Sequence, residues 1–179
     1  EVINNFNLSS FIFSSSCTIY GEPSLIPVNE KTPIQPAFSP YGYTKQVGEK
    51  ILTDFFKTNK QTSLTMLRYF NPIGAHPSSL IGELPLGVPS NLVPYLTQTA
   101  IGKRKQLTIF GNDYNTADGT CIRDYIHVVD LARAHVLSLK NKIMSNNVYN
   151  VGVGKGSSVL ELVNCFEEIN NLNVNYQFG

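Results

Sequence analysis

Apolar residues in this chain fall into short runs whose spacing alternates between strand and helix periods. Phe11-Ile12-Phe13 is an unbroken apolar run leading into Ser14-Ser15-Ser16, and it predicts a buried strand over Phe11–Ser15. From Tyr41 to about Asn59 the apolar residues Val47, Ile51, Leu52 and Phe55 recur at helical spacing. Ser63–Tyr69 alternates and then turns apolar, which predicts a second strand. Strand, helix and strand at this length predict a right-handed crossover in a parallel sheet. The segment between Gly21 and Pro40 carries five prolines, so it predicts a long loop over the strand ends rather than a helix.

The second half repeats the alternation. Asn91–Ile101 predicts a helix that tolerates Pro94 in its first turn. Leu107–Phe110 predicts a short strand stopped by Gly111-Asn112. Val128–Leu139 predicts a helix whose apolar side is Val129, Ala132, Val136 and Leu137, and Val148–Val151 predicts a strand. A further helix starts at about Val159, announced by the capping box Ser158-Val159-Leu160-Glu161. Glycine and proline crowd the stretch from Pro72 to Pro89, which is the candidate domain boundary. The expected fold class is α/β.

Composition narrows the function classes. With 179 residues there is room for one ordinary domain or parts of two, and 42% hydrophobic residues suffice for a core. A net charge of +1 leaves no electrostatic footprint for nucleic acid or a membrane. The cluster Lys103-Arg104-Lys105 follows a predicted helix and fits its C-terminus or plain solvation. Three cysteines, Cys17, Cys121 and Cys165, form no Cys-x-x-Cys pair, which argues against zinc and thioredoxin-type chemistry and suits a reducing compartment. No apolar run approaches the ~20 residues of a membrane helix, and the chain shows no signal-peptide pattern. His76 and His127 lack partners at ligand spacing, so both read as structural and no metal is expected.

Candidate chemistry concentrates at Tyr41 and Lys45. Four residues apart on a helix, they sit one turn from each other on one face. A free phenol loses its proton only near pH ~10, and a neighbouring ammonium favours the ionised form an acid/base catalyst needs. Ser14-Ser15-Ser16 ends a strand, and ligands bind at the carboxyl edge of open α/β sheets. Arg123 follows a Gly-Thr loop and is suited to gripping a diphosphate by two parallel hydrogen bonds, or to pairing with a neighbouring acid. Asn71 is held extended by Pro72, where it can bond a sugar hydroxyl or a pyrophosphate, or simply form a turn. Gly152-Val153-Gly154-Lys155-Gly156 joins a strand to a helix but matches neither Gly-x-Gly-x-x-Gly nor a P-loop, so it reads as a tight turn. Cys17, taken alone, reads as a small buried filler.

Four motifs in order carry a resemblance. They are Ser14-Ser15-Ser16-x-Thr18-x-Tyr20-Gly21 with Tyr41-Gly42-Tyr43-Thr44-Lys45, Leu67-Arg68-Tyr69-Phe70-Asn71-Pro72-Ile73-Gly74-Ala75-His76-Pro77, Ile109-Phe110-Gly111-Asn112-Asp113-Tyr114, and the stretch from Asp118 to Ala132. From about Phe11 to Phe178 the chain resembles the UDP-glucose 4-epimerase family of extended short-chain dehydrogenase/reductases. The resemblance implies an NAD-binding Rossmann domain followed by a smaller nucleotide-sugar domain. It implies interconversion of UDP-glucose and UDP-galactose in galactose metabolism, with NAD as cofactor, in a cytoplasmic isomerase that is a homodimer at full length. By position it implies Tyr41, Lys45 and Ser16 as catalytic residues, which also bind the cofactor together with Phe70. It implies Ser16, Cys17, Thr18, Asn71, Asn91, Leu92, Thr108, Ile109, Phe110 and Arg123 as substrate-binding residues. The implied division is residues 1–72 as the later half of a doubly wound NAD-binding domain. Residues 73–179 are then mainly the UDP-sugar domain, with segments interleaved into the first.

The family's Gly-rich strand-turn-helix for the dinucleotide pyrophosphate has no counterpart here. The chain also stops short of the family's last substrate-contacting arginine and of the residue gating sugar size. It therefore reads as an internal segment of a longer protein, expected to be inactive alone. Two alternatives remain. A nucleotide-sugar 4,6-dehydratase would need an acid and a base; resembling dehydratases place an Asp-Glu pair after this serine or threonine, whereas Cys17 and Thr18 follow Ser16 and the next carboxylate is Glu22. A non-catalytic remnant of the fold would explain the absent glycine loop, but Ser16, Tyr41 and Lys45 are intact.

Overall fold

The computed structural model describes residues 2–59, 61–140 and 146–179. Its elements run α1 (Val2–Asn5), β1 (Ser10–Ser16), a 3-10 turn (Cys17–Tyr20), α2 (Pro40–Thr58), β2 (Ser63–Tyr69), β3 (Asn71–Ile73), α3 (Leu92–Ala100), β4 (Leu107–Ile109), β5 (Ile122–His127), α4 (Val128–Lys140), β6 (Asn146–Val151), β7 (Gly156–Ser158), α5 (Val159–Asn170) and β8 (Tyr176–Phe178). The chain divides into two compact units, Glu1–Pro72 with Val129–Gly152, and Ile73–Val128 with Val153–Gly179.

In the first unit β1, β2 and β6 form a parallel sheet in the order β1-β2-β6. Ser63 to Arg68 of the central strand β2 are all buried, as expected of a parallel strand covered on both faces. α2 connects β1 to β2. Ser39 caps it by accepting the Gly42 N–H at 3.1 Å, and Pro40 occupies the first turn, where no N–H is needed. The residues α2 buries are Gly42, Glu49 and Phe56, seven apart on one face. Phe56 packs with Leu64 and Met66, and Phe11, Phe13, Leu52, Phe55 and Val148 close around them.

That face differs from the one expected. Val47 is 36% and Ile51 61% exposed on α2, while Leu52 and Phe55 are partly buried. On α4 the buried residue is Leu131, and Val136 and Leu137 lie exposed. The orientation of α2 is set instead by close approach and by polar contacts. A Cβ on Gly42 would stand 3.1 Å from the Thr18 carbonyl oxygen, so glycine lets the helix start lie against the 3-10 turn. Gln46 Nε2 donates to the carbonyls of Ile19 and Gln35, each at 2.8 Å, latching the turn and the following loop to α2. Gly21 sits at φ +61, where a Cβ would come 2.5 Å from the Pro36 carbonyl oxygen, so only glycine lets the loop double back there.

The second unit has a core of Leu96, Leu107, Ile109, Val163 and Val174. β4 pairs parallel with β8, and β5 pairs antiparallel with β7. Both halves of the Ser158–Glu161 capping box are formed at the start of α5, and Asn171 ends that helix in the left-handed region at φ 49. Among the described residues no helix is long and apolar enough to cross a membrane.

Candidate active site

The carboxyl end of β1 and the amino end of α2 meet in the first unit. Ser16 closes β1, is buried, and accepts the Thr18 N–H at 3.3 Å, which caps the 3-10 turn. Tyr41 stands in the first turn of α2 with its side chain 51% exposed. Lys45 is one turn further on. Its Nζ donates to the Ser14 carbonyl at 2.8 Å and lies 5.4 Å from the ring centroids of both Tyr41 and Phe13. The ammonium is thus moored to the strand and held on the side of the phenol ring. Beyond β2, Phe70 donates its backbone N–H to the Val151 carbonyl at 3.1 Å, and Asn71 opens the extended segment β3. Cys17 is half-buried rather than fully buried, and Thr18 is exposed.

Beneath these residues lies a polar network that sequence patterning missed. Glu49 continues the Tyr41–Lys45 face by one more turn, and Arg68 lies in β2 directly opposite Ser15 of β1. Both charged residues are 5% exposed. Arg68 Nη2 meets Glu49 Oε2 at 2.6 Å and its Nε donates to Glu49 Oε1 at 2.9 Å, a two-pronged ion pair. Ser15 Oγ donates to Glu49 Oε1 at 2.5 Å. Arg68 Nη1 donates to Tyr20 Oη at 3.1 Å, and Tyr20 donates on to Asn150 Oδ1 at 2.6 Å. Burial would lower the Arg68 pKa, but its hydrogen bonds to Glu49 and Tyr20 and their Coulomb attraction outweigh this and hold it above the ordinary value. The Asn150 backbone N–H lowers the pKa of Glu30, whose carboxylate it bonds at 2.7 Å. The one charged residue of β2, and a glutamate two turns from Tyr41, were the available signals.

The second unit gathers the expected nucleotide-binding residues onto three elements. Asn91 is the N-cap residue of α3, its side-chain amide 3.3 Å from Glu83 Oε1, and Leu92 packs partly buried against the core. On β4, Thr108 is half-buried and Phe110, just past the strand, is 78% exposed. Ile109, between them, is 1% exposed and its side chain belongs to the core, so this position faces the segment's surroundings through its backbone. Arg123 is exposed on β5, with Nη1 donating to the Ile122 carbonyl at 2.9 Å.

Two carboxylates organise the loops around them. Asp124 accepts the backbone N–H groups of Val153 at 2.9 Å and Gly154 at 2.8 Å. The Gly152–Gly156 turn therefore points those donors at its own aspartate rather than at a phosphate. Asp118 accepts the Ser158 hydroxyl in a short hydrogen bond, and the Thr120 N–H and hydroxyl at 2.8 Å each. The Ser158 bond, then those from Thr120, hold the Asp118 carboxyl below its usual range. Burial pushes the Tyr125 phenol up. His76 bonds Ser78 at 2.8 Å, and the described residues include no cluster of metal-ligating side chains.

The model of the NAD dependent epimerase/dehydratase family matches residues 1–152. The UDP-glucose 4-epimerase of Bacillus subtilis strain 168 is 49% identical over 181 residues, covering 100% of this chain and 53% of that protein. The Haemophilus influenzae UDP-glucose 4-epimerase is 50% identical over 170 residues, covering 94% of this chain and 50% of that protein. A crystal structure of UDP-glucose 4-epimerase from Bifidobacterium longum, in complex with NAD+ and UDP, superposes with a TM-score of 0.94 at 43% identity, covering 99% of this chain and 53% of that one. The chain spans about half the length of the relatives it matches.

Proposed function

Since the chain belongs to the NAD dependent epimerase/dehydratase family, we propose that the protein carrying it is an NAD-dependent 4-epimerase interconverting UDP-glucose and UDP-galactose. The observation that carries this is the Lys45 ammonium, fixed to the Ser14 carbonyl and 5.4 Å from the Tyr41 ring centroid, at the strand end that Ser16 closes. A catalytic phenol needs a cation held in place beside it, and this lysine is immobilised by the scaffold rather than left to solvent. The likeness to a structure holding NAD+ and UDP supports the choice of cofactor and nucleotide.

The residues present fit the nicotinamide end of the cofactor. Lys45 has three N–H donors, and one is engaged by Ser14, which leaves donors for ribose hydroxyls. Phe70 supplies an apolar neighbour at the sheet edge. Held there by Lys45 and Phe70, NAD would supply a reversible hydride acceptor for C4 of the sugar. Tyr41 removes the O4 proton and later gives it back, with Ser16 in the hydrogen-bond path. Arg123 and the Asn91, Thr108 and Phe110 positions hold the UDP half, whose remote binding energy anchors the reacting sugar.

On this reading the first unit is the later half of the NAD-binding domain and the second is the UDP-sugar domain. Dehydration is disfavoured because no carboxylate follows Ser16 in its turn. A homodimer fits the stripe Tyr43, Val47 and Ile51 on α2, exposed at 61%, 36% and 61%; sedimentation at the monomer mass would rule it out. A cytoplasmic, reducing setting fits three cysteines that no disulfide joins. The test of the function is Tyr41→Phe in the protein carrying this chain, assayed with saturating UDP-galactose. Turnover should fall by ~10²–10⁴-fold, the usual worth of a general acid/base. Near-normal turnover would place the base elsewhere.

A further inference from the structure

Ser16 is held from both sides by one buried charge pair. The residue before it, Ser15, donates its hydroxyl to Glu49 Oε1 at 2.5 Å. The turn after it ends in Tyr20, which is 2% exposed and accepts from Arg68 Nη1 at 3.1 Å. The Arg68 guanidinium also lies over the Tyr20 ring, 5.1 Å from its centroid. Glu49 in turn belongs to α2, on the face that presents Tyr41 and Lys45. Strand end, turn and helix therefore meet on the same two side chains.

We propose that Glu49 and Arg68, with Ser15 and Tyr20, are positioning residues that fix the strand end bearing Ser16 against the helix bearing Tyr41 and Lys45. This inference rests on the proton-transfer reading above. None of the four is assigned contact with substrate or cofactor by it beyond that framework role.

A charge pair is an unusual choice for this place if packing alone were needed. Replacing a buried ion pair by apolar side chains of similar volume is often neutral or stabilising. What apolar side chains cannot supply is direction. The two-pronged pair fixes the guanidinium plane, the plane aims Nη1 at Tyr20, and the second carboxylate contact orients the Ser15 hydroxyl. A misplacement of about 1 Å at reacting groups can cost about 10²-fold in rate. Geometry at this level is what the pair controls.

The test uses the protein carrying this chain and three variants. The double change Glu49→Leu with Arg68→Met removes both charges and keeps an apolar core. Ser15→Ala removes a single hydroxyl. Tyr41→Phe reports on the underlying chemistry. Each is followed by its melting temperature and by kcat and KM with UDP-galactose. The double variant should fold and lose at least about tenfold in kcat, with KM within about twofold. Ser15→Ala should lose at least about threefold in kcat with KM again unmoved. A purely structural pair would instead give wild-type kcat once the double variant folds, and that result overturns the proposal. If the double variant does not fold, Ser15→Ala decides alone, and wild-type kcat there overturns it. Full turnover in Tyr41→Phe would sink the proton-transfer reading and the clamp with it. A dead Tyr41→Phe beside fully active clamp variants would sink the clamp only.

Discussion

Truncating Phe56 to alanine should be among the most damaging single changes in the first unit. The side chain is 1% exposed, stacks edge-on to Phe55 at a centroid distance of 5.1 Å, and lies 6.2 Å from the Phe11 ring. It is the apolar member of the face that α2 turns to the sheet, packed on Leu64 and Met66 in the buried run of β2. Burial lost plus cavity formed amounts to about 3–5 kcal/mol for a phenylalanine in such a place. For a protein of ~150–250 residues each kcal/mol moves the melting temperature by about 2–4 °C, so the fall should be roughly 6–20 °C. Circular dichroism on heating reads this directly, and Phe110→Ala is the control. Phe110 is 78% exposed, so its removal should change stability by no more than about 0.5 kcal/mol. Equal melting temperatures for the two variants would refute the account of what holds α2 to the sheet.

Further outcomes follow from the second unit. Arg123→Ala should weaken UDP binding by ~1.5–3 kcal/mol, the worth of a hydrogen bond to a charged group, in a calorimetric titration. Unchanged affinity with a lowered melting temperature would make Arg123 structural instead. Asp118 has a folded-state pKa below its unfolded value, so its contribution to stability is present above about pH 4 and is lost as the pH falls through the depressed folded pKa. The stability gap between wild type and Asp118→Asn should therefore be open at pH ~7 and close below pH ~4 in urea titrations. A gap of constant size would show that the Ser158 and Thr120 bonds do not depend on the charge.

The long elements were legible because their signals are local. β2 spans Ser63–Tyr69 as its composition indicates, and the Ser158–Glu161 capping box marks the start of α5. The three-residue strands β3, β7 and β8, and the longer β5, were not. Each depends on a partner distant in sequence, as when Ile122 pairs with Ser158, and Ile122–His127 carries charges that obscure any strand period. The face α2 turns to the sheet was legible only through Leu52 and Phe55, because the contact toward β1 is also made by Lys45, Gly48 and Glu49, which no hydrophobic period reveals. For the same reason Tyr41 and Lys45 could be paired from their spacing alone, whereas the Glu49–Arg68 pair could not, since its members lie on different elements. Ile109 shows the converse limit. A motif can place a residue in a binding segment without telling which of its neighbours turns inward to the core.

The reaction run in D2O, with the hydrogen at C4 of the product read by NMR, tests the central claim most directly. If Tyr41 and Ser16 handle only the O4 proton while the C4 hydrogen leaves and returns as hydride, UDP-galactose must become UDP-glucose with its original hydrogen still on C4. Deuterium at C4, or no UDP-glucose from the protein carrying this chain, would contradict the account.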